Sequence, residues 1–124
     1  MTQGHNAGAV VSVMFSFMMG FLFRLIPPRP TFSLDMSTDK RATMMEHVEY
    51  WSALTEQGRV LAFGPVGDPR GAYGIGIVLA ESKTEAEGLR DRDPAIRSHH
   101  GFMTEIAPIL RLVTPDQIYD TIPS

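Results

Sequence analysis

A long helical pattern over residues 37–58 is the feature that most constrains the fold of this chain. Ser37 or Thr38 is predicted to cap its amino end, and Gly58 is typical of the position just beyond a helix carboxyl end. Apolar residues recur on one face at helical spacing, so that face is predicted to be buried. These apolar residues are Met44, Val48, Trp51 and Leu54. The rest of the chain must supply a surface that covers them.

His47 lies within the same apolar stripe. An ionisable ring that points into a core needs a hydrogen-bonding partner, because burying it without one is costly. One interpretation is a general acid or base that a carboxylate orients. The alternative is a buried histidine whose ring donates to a backbone carbonyl. The residues alone leave both interpretations open.

Strand patterns and a second helical pattern flank this helix in a recognisable order. That order is βαββαβ, which predicts a ferredoxin-like α+β domain with a four-stranded antiparallel sheet and two helices on one face. The strands are predicted over residues 18–26, 59–66, 72–80 and 102–113, and the second helix over residues 83–92. A further short helix is predicted to begin near Thr114, because Pro115 follows at a favourable position.

The third strand has one bulky side and one small side. Tyr73, Ile75 and Ile77 alternate with glycines and are predicted to pack against the helices. Gly74 and Gly76 are then predicted to lie on the outer face of the sheet, which needs a cover. A second copy of the sheet would provide that cover, so the sequence predicts a symmetric homodimer.

Residues 1–23 carry no charged side chain, and residues 7–23 are mostly apolar. A signal peptide would have basic residues before the apolar run, whereas the first basic side chain here is Arg24. A membrane helix would need about 17–25 apolar residues, so this run is at the lower limit. We therefore expect an extension over residues 1–17, a domain over 18–113 and a tail over 114–124.

Composition excludes several classes of function. A chain of 124 residues forms one domain, and a net charge of −3 offers no basic surface for nucleic acid or a membrane. The absence of cysteine excludes disulfides and a thiolate nucleophile and fits a reducing cytoplasm. The adjacent His99 and His100 are predicted to lie in a solvated loop rather than to bind metal. We expect neither a metal nor another cofactor.

Two arginines could bind an anionic ligand. Arg24 alternates away from the aromatic side of the first strand, and Arg29 lies in a proline-rich loop. Either guanidinium could hold a carboxylate through two hydrogen bonds. The alternative for Arg24 is an ion pair with Glu105 on a neighbouring strand.

Several segments together resemble the YCII-related domain family of the dimeric α/β-barrel group. They are the helix that contains His47, then LAFGPVGDP, YGIGIV and DPAIRSHHGFMTEIAPI, and the resemblance covers residues 18–113. It implies a ferredoxin-like dimer whose sheets face each other, and a His–Asp pair formed here by His47 and Asp68. A few relatives are proposed lyases or dehalogenating enzymes, so the resemblance leaves the reaction open.

These observations predict a small homodimer that binds a small polar or anionic organic molecule near His47, Asp68 and Tyr73. A cofactor-free lyase or isomerase that uses the His–Asp pair for proton transfer is the first interpretation. The alternative is a non-catalytic ligand-binding or assembly module in which the pair only holds the helix to the sheet. A cavity that reaches His47 would favour a ligand site over a sealed structural pair.

Overall fold

A computed structural model of the protein describes residues 18–121, so the predicted N-terminal extension lies outside the described residues. The elements follow the ferredoxin-like order that the sequence predicts, with a short additional helix and a terminal hairpin. They are β1 (Met19–Ile26), α1 (Thr38–Glu56), β2 (Val60–Val66), β3 (Tyr73–Ala80), α2 (Lys83–Asp91), α3 (Pro94–Arg97), β4 (Met103–Ile109), β5 (Arg111–Val113) and β6 (Ile118–Asp120).

The main sheet is antiparallel with strand order β2-β3-β1-β4. Side chains alternate along the central strand β1, so that Phe21, Phe23 and Leu25 are buried beneath the helices. Leu22 and Arg24 consequently lie on the opposite face, which no helix between residues 18 and 121 covers. We call this opposite face the open face.

The helix boundaries follow the predicted capping residues. The Ser37 hydroxyl accepts a hydrogen bond from the backbone N–H of Lys40 at 3.3 Å, which satisfies one free donor at the start of α1. Gly58 has a φ of 77° just beyond the helix, a conformation that favours glycine. At α2, the Ser82 hydroxyl accepts from the backbone N–H of Glu85 at 3.1 Å. The predicted caps at Ser37 and Gly58 are thus confirmed, and Ser82 caps α2 as Ser37 caps α1.

The orientation predicted for β3 is wrong. Gly76 faces α1, where an added Cβ would lie 2.7 Å from Cζ3 of Trp51. Gly74 faces the same way, and an added Cβ there would meet the Cβ of Leu25 at 3.6 Å. The alternation therefore places Ile75 and Ile77 on the open face. The physical reason is that the Trp51 side chain of α1 fills the space on the helix side of β3, and the glycines of β3 provide that space.

The carboxyl-terminal segment forms a hairpin where a helix was predicted. β5 and β6 pair with each other, and the hydroxyl of Thr114 bonds to the backbone of Gln117 within their connection. Leu112 packs on the open face, because an added Cβ at Gly20 would lie 2.7 Å from its Cδ2. Leu112 and Tyr119 are paired across the two short strands, Tyr119 is buried and Leu112 is half-buried, and covering them outweighs the helix-start signal.

No helix within residues 18–121 has the length and apolar character needed to cross a membrane.

Candidate functional site

A fully buried carboxylate, that of Asp93, organises the site. It has 0% exposure and lies at the junction of α2 and α3, where it caps α3 by accepting from the backbone N–H of Ala95 at 2.9 Å. It also accepts from Nε1 of Trp51 at 2.8 Å and contacts Nδ1 of His47 at 2.8 Å. Three donors therefore surround one buried charge, which satisfies its hydrogen-bonding capacity where water cannot reach.

The orientation of the His47 ring follows from this contact. Nδ1 lies 2.9 Å from Oδ1 and 2.8 Å from Oδ2 of Asp93. An ionised carboxylate only accepts hydrogen bonds, so with Asp93 ionised this contact assigns the hydrogen to Nδ1. Nε2 makes no hydrogen bond to any residue between 18 and 121, and the side chain is 12% exposed. Nε2 is thus the ring atom that remains to meet a ligand.

Trp51 fixes the other side of the carboxylate. Its indole is buried, lies 4.7 Å from the Phe23 ring between centroids, and occupies the space above Gly76. Held in this way, the indole directs Nε1 toward Asp93. The position of the carboxylate, and through it that of the histidine ring, depends on the packing of this indole.

An apolar cavity of about 200 Å³ lies beside His47, between α1, the sheet and the segment that follows β1. Its wall is almost entirely apolar, and no Lys, Arg, Asp or Glu within the described part of the chain lines it. The titratable residues of its lining are His47 and Tyr73. The histidine is therefore at the edge of a ligand-sized space rather than sealed in the core.

The structure corrects the predicted partner of His47. Asp68 accepts from the backbone N–H of Arg70 at 2.8 Å and from its guanidinium Nη2 at 3.0 Å. The side-chain hydrogen bond from Arg70 holds the pKa of Asp68 below its usual range. Asp68 is therefore committed to the β2–β3 turn. Asp93 is the partner instead, because α3 packs against α1 and brings its capping residue to His47.

The two predicted anion-binding arginines are engaged away from the cavity. Arg24 pairs with Glu105 at 2.7 Å on the open face, as the alternative interpretation has it, and its guanidinium lies 4.5 Å from the Tyr73 ring centroid. Arg29 Nε donates to Asp35 at 3.1 Å, and this pairing lowers the pKa of the Asp35 carboxyl. Neither arginine lines the cavity. Tyr73 contributes to the lining, although its ring lies against Arg24 and thus toward the open face.

Sequence reasoning missed Asp93 and Trp51 as site residues. A usable signal existed, since an aspartate directly before Pro94 predicts the start of a helix. A second signal is that a buried indole N–H needs an acceptor. Neither signal identifies the other residue, because they are joined only by the packing of α3 on α1.

The fold and the site together define a ferredoxin-like α+β protein in which His47, paired with the buried Asp93, lines an apolar cavity. The family model for the YCII-related domain matches residues 21–110, most of the chain. The protein therefore belongs to the YCII-related domain family, as its resemblance implied. Searches of curated proteins and of solved structures gave no significant match.

Proposed function

We propose that the cavity binds a small organic molecule and that His47 transfers a proton to or from it. The observation that carries this proposal is that His47 has Nδ1 on a buried carboxylate and lines a cavity of about 200 Å³. A histidine oriented in this way has the geometry of a general base.

The Asp93 carboxylate supports proton transfer in two ways. It holds the ring with hydrogen on Nδ1, so that the lone pair of Nε2 is free to accept a proton. When Nε2 has accepted a proton, the buried carboxylate stabilises the positive ring without reorganisation of water. Both effects act on the same atom, the Nε2 that remains for the ligand.

The reaction class that fits is a cofactor-free isomerisation or elimination. In an isomerisation, Nε2 removes a proton from carbon next to a carbonyl and returns it to a different carbon, so no atom is gained or lost. In an elimination, the same step is followed by departure of a leaving group with the electron pair of its bond. A lyase or isomerase of this kind needs little from the protein beyond an oriented base and a dry site.

The proposal is tested with 3-cyclohexen-1-one, a compact β,γ-unsaturated ketone whose conversion to the conjugated isomer is followed by ultraviolet absorbance. We expect the protein to accelerate this conversion. We expect His47→Gln to lower the rate of the catalysed conversion at least about 100-fold. His100→Gln is the matched control, because His100 is not part of the cavity lining. Equal rates in the His47→Gln variant and the unchanged protein would leave the pair with the structural role of joining α1 to α3.

We further infer that the protein forms a homodimer through the open face. Four strands present half-buried aliphatic side chains there, among them Leu22, Ile75 and Ile77, and Met103 is 67% exposed. The charges of Arg24 and Glu105 on this face neutralise each other, so their burial requires no partner of opposite charge. A second copy of the same face is the self-complementary cover, in accordance with the sheet-to-sheet dimer that the family resemblance implies.

A further inference from the structure

We propose that the ligand of this cavity is an uncharged, largely apolar molecule, about the size of one six-membered ring with a short substituent, whose most acidic hydrogen faces Nε2 of His47. This inference rests on the proposed function, since it takes the cavity as the binding site. It replaces the polar or anionic ligand that the sequence alone suggested.

The charges around the cavity disfavour an ionic ligand. The lining contains no basic or acidic side chain among residues 18–121 other than His47, and this ring lies against the carboxylate of Asp93. The pair is neutral when the ring is protonated and negative when it is not, so it offers no net positive charge to an anion. Moving an ion from water into such a site without an opposite charge is strongly unfavourable.

The nearest cationic groups do not change this conclusion. Arg29 is paired with Asp35, and Lys40 Nζ lies 5.7 Å from the Phe32 ring centroid without lining the cavity. Arg24 lies on the other face of the sheet in its pair with Glu105. A carboxylate or phosphate inside the cavity would therefore meet no guanidinium or ammonium group in the described part of the chain.

Volume and shape set the size of the ligand. An engineered apolar cavity of about 150 Å³ holds one benzene molecule, and this cavity measures about 200 Å³. Aromatic rings form much of the wall, and Phe32 and Phe102 meet edge to face with centroids 5.0 Å apart. Flat apolar walls of this kind suit a compact ring better than a long flexible chain.

The distribution of polar atoms sets the orientation of the ligand. The deep part of the cavity is lined by Phe23, Leu25 and Trp51, all buried and apolar on their cavity side. Val48 is 49% exposed and Ser33 is exposed, so the cavity opens to solvent between α1 and the segment after β1. A ligand that enters here and buries its ring would direct its most acidic hydrogen to Nε2 of His47, the histidine that lines the cavity.

Three probes of nearly equal size test the inference, namely benzyl alcohol, benzoate and benzylammonium. Trp51 is the single tryptophan of the chain and lines the cavity, so its fluorescence reports occupancy, with saturation-transfer NMR as the direct readout. We expect benzyl alcohol to bind at least about tenfold more tightly than either ion. Gly74→Val is the site control, because its side chain would enter the cavity where an added Cβ has ordinary contact with Leu25 at 3.6 Å.

The results of this binding experiment either support or overturn the inference. Preferential binding of benzyl alcohol that Gly74→Val abolishes, in a variant whose circular dichroism is unchanged, supports the inference. Benzoate or benzylammonium binding as tightly as benzyl alcohol, and lost in Gly74→Val, would overturn the uncharged ligand while leaving the cavity as a site. No binding of any probe up to about 10 mM, or binding that Gly74→Val does not weaken, would overturn the cavity as a site and the proposed function with it.

Discussion

Gly76 and Trp51 fit together with no room for a methyl group, since a Cβ added to the glycine would lie 2.7 Å from Cζ3 of the indole. The same indole donates from Nε1 to Asp93 at 2.8 Å, and Asp93 in turn contacts His47. A backbone position in the middle of β3 is thereby connected, through Trp51 and Asp93, to a histidine on α1. We therefore expect the position of the candidate base, His47, to depend on the glycine at position 76.

Replacing Gly76 by alanine should therefore displace Trp51 and weaken its hydrogen bond to Asp93. We expect Gly76→Ala to lower the free energy of unfolding by about 1–3 kcal/mol, because overpacking a close contact forces neighbouring groups to move. Urea unfolding followed by circular dichroism measures this change. Gly74→Ala is the control, since its Cβ would have ordinary contact at 3.6 Å. Equal stability of the two variants would contradict the close fit.

Asparagine substitutions at Asp93 and Asp68 test which of the two aspartates is the partner of His47. Asp93→Asn should lower the free energy of unfolding by about 2–3 kcal/mol, because it weakens charge-assisted hydrogen bonds in a buried site. Asp68→Asn should change stability far less, since it affects only the hydrogen bonds with Arg70, whose side chain is exposed. Urea unfolding of both variants at neutral pH gives the comparison. A larger loss in Asp68→Asn than in Asp93→Asn would restore the pairing first predicted from the sequence.

Tyr50 gives the protein a predictable response to alkaline pH. Its hydroxyl donates to the backbone carbonyl of Leu89 at 2.6 Å, and burial raises its pKa above the ordinary value of 10.0. The hydrogen bond should make the protein about 1 kcal/mol more stable than Tyr50→Phe near neutral pH.

The sign of the pH dependence follows from the raised pKa of Tyr50. A group that holds its proton more firmly when folded stabilises the fold below its unfolded pKa, and that stabilisation is lost as pH rises through the folded value. The stability difference between the protein and Tyr50→Phe should therefore shrink above about pH 10. A difference that stays constant from neutral to strongly alkaline pH, measured by urea unfolding, would contradict this account.

A charged residue introduced at the centre of the open face tests the proposed dimer. Ile77 lies on this face opposite Leu22 of β1 and Ala62 of β2, so Ile77→Glu should convert the dimer to a monomer by burying an unpaired carboxylate. Val113→Glu places the same charge on an exposed position of the terminal hairpin and should leave the dimer intact. Sedimentation velocity at micromolar concentration distinguishes the species. A monomeric unchanged protein, or two variants that behave alike, would exclude this interface.

The sequence predicted the order of elements and most of their ends, because these depend on neighbouring residues. Ser37, Gly58 and Ser82 act through groups within a few positions, and the alternation of Phe21, Phe23 and Leu25 fixes one face of β1. The ion pair of Arg24 and Glu105 could also be anticipated, since adjacent antiparallel strands bring them opposite each other.

The features that the sequence did not predict depend on distant packing. The side on which Gly76 lies depends on Trp51, which is on another element, and periodicity alone cannot tell which face of a strand receives a large group from elsewhere. The choice between Asp68 and Asp93 as partner of His47 has the same origin. Both aspartates occur at turns, and only the packing of α3 on α1 brings one of them to the ring.

The nitrogen chemical shifts of the His47 ring test the central claim most directly, because they report which ring nitrogen carries hydrogen. At a pH where the ring is neutral, the account predicts hydrogen on Nδ1 and a bare Nε2 whose signal moves when benzyl alcohol is added. In Asp93→Asn the preference for hydrogen on Nδ1 should weaken. Hydrogen on Nε2 in the unchanged protein, or an Nε2 signal that bound benzyl alcohol leaves in place, would contradict an oriented base at a ligand cavity.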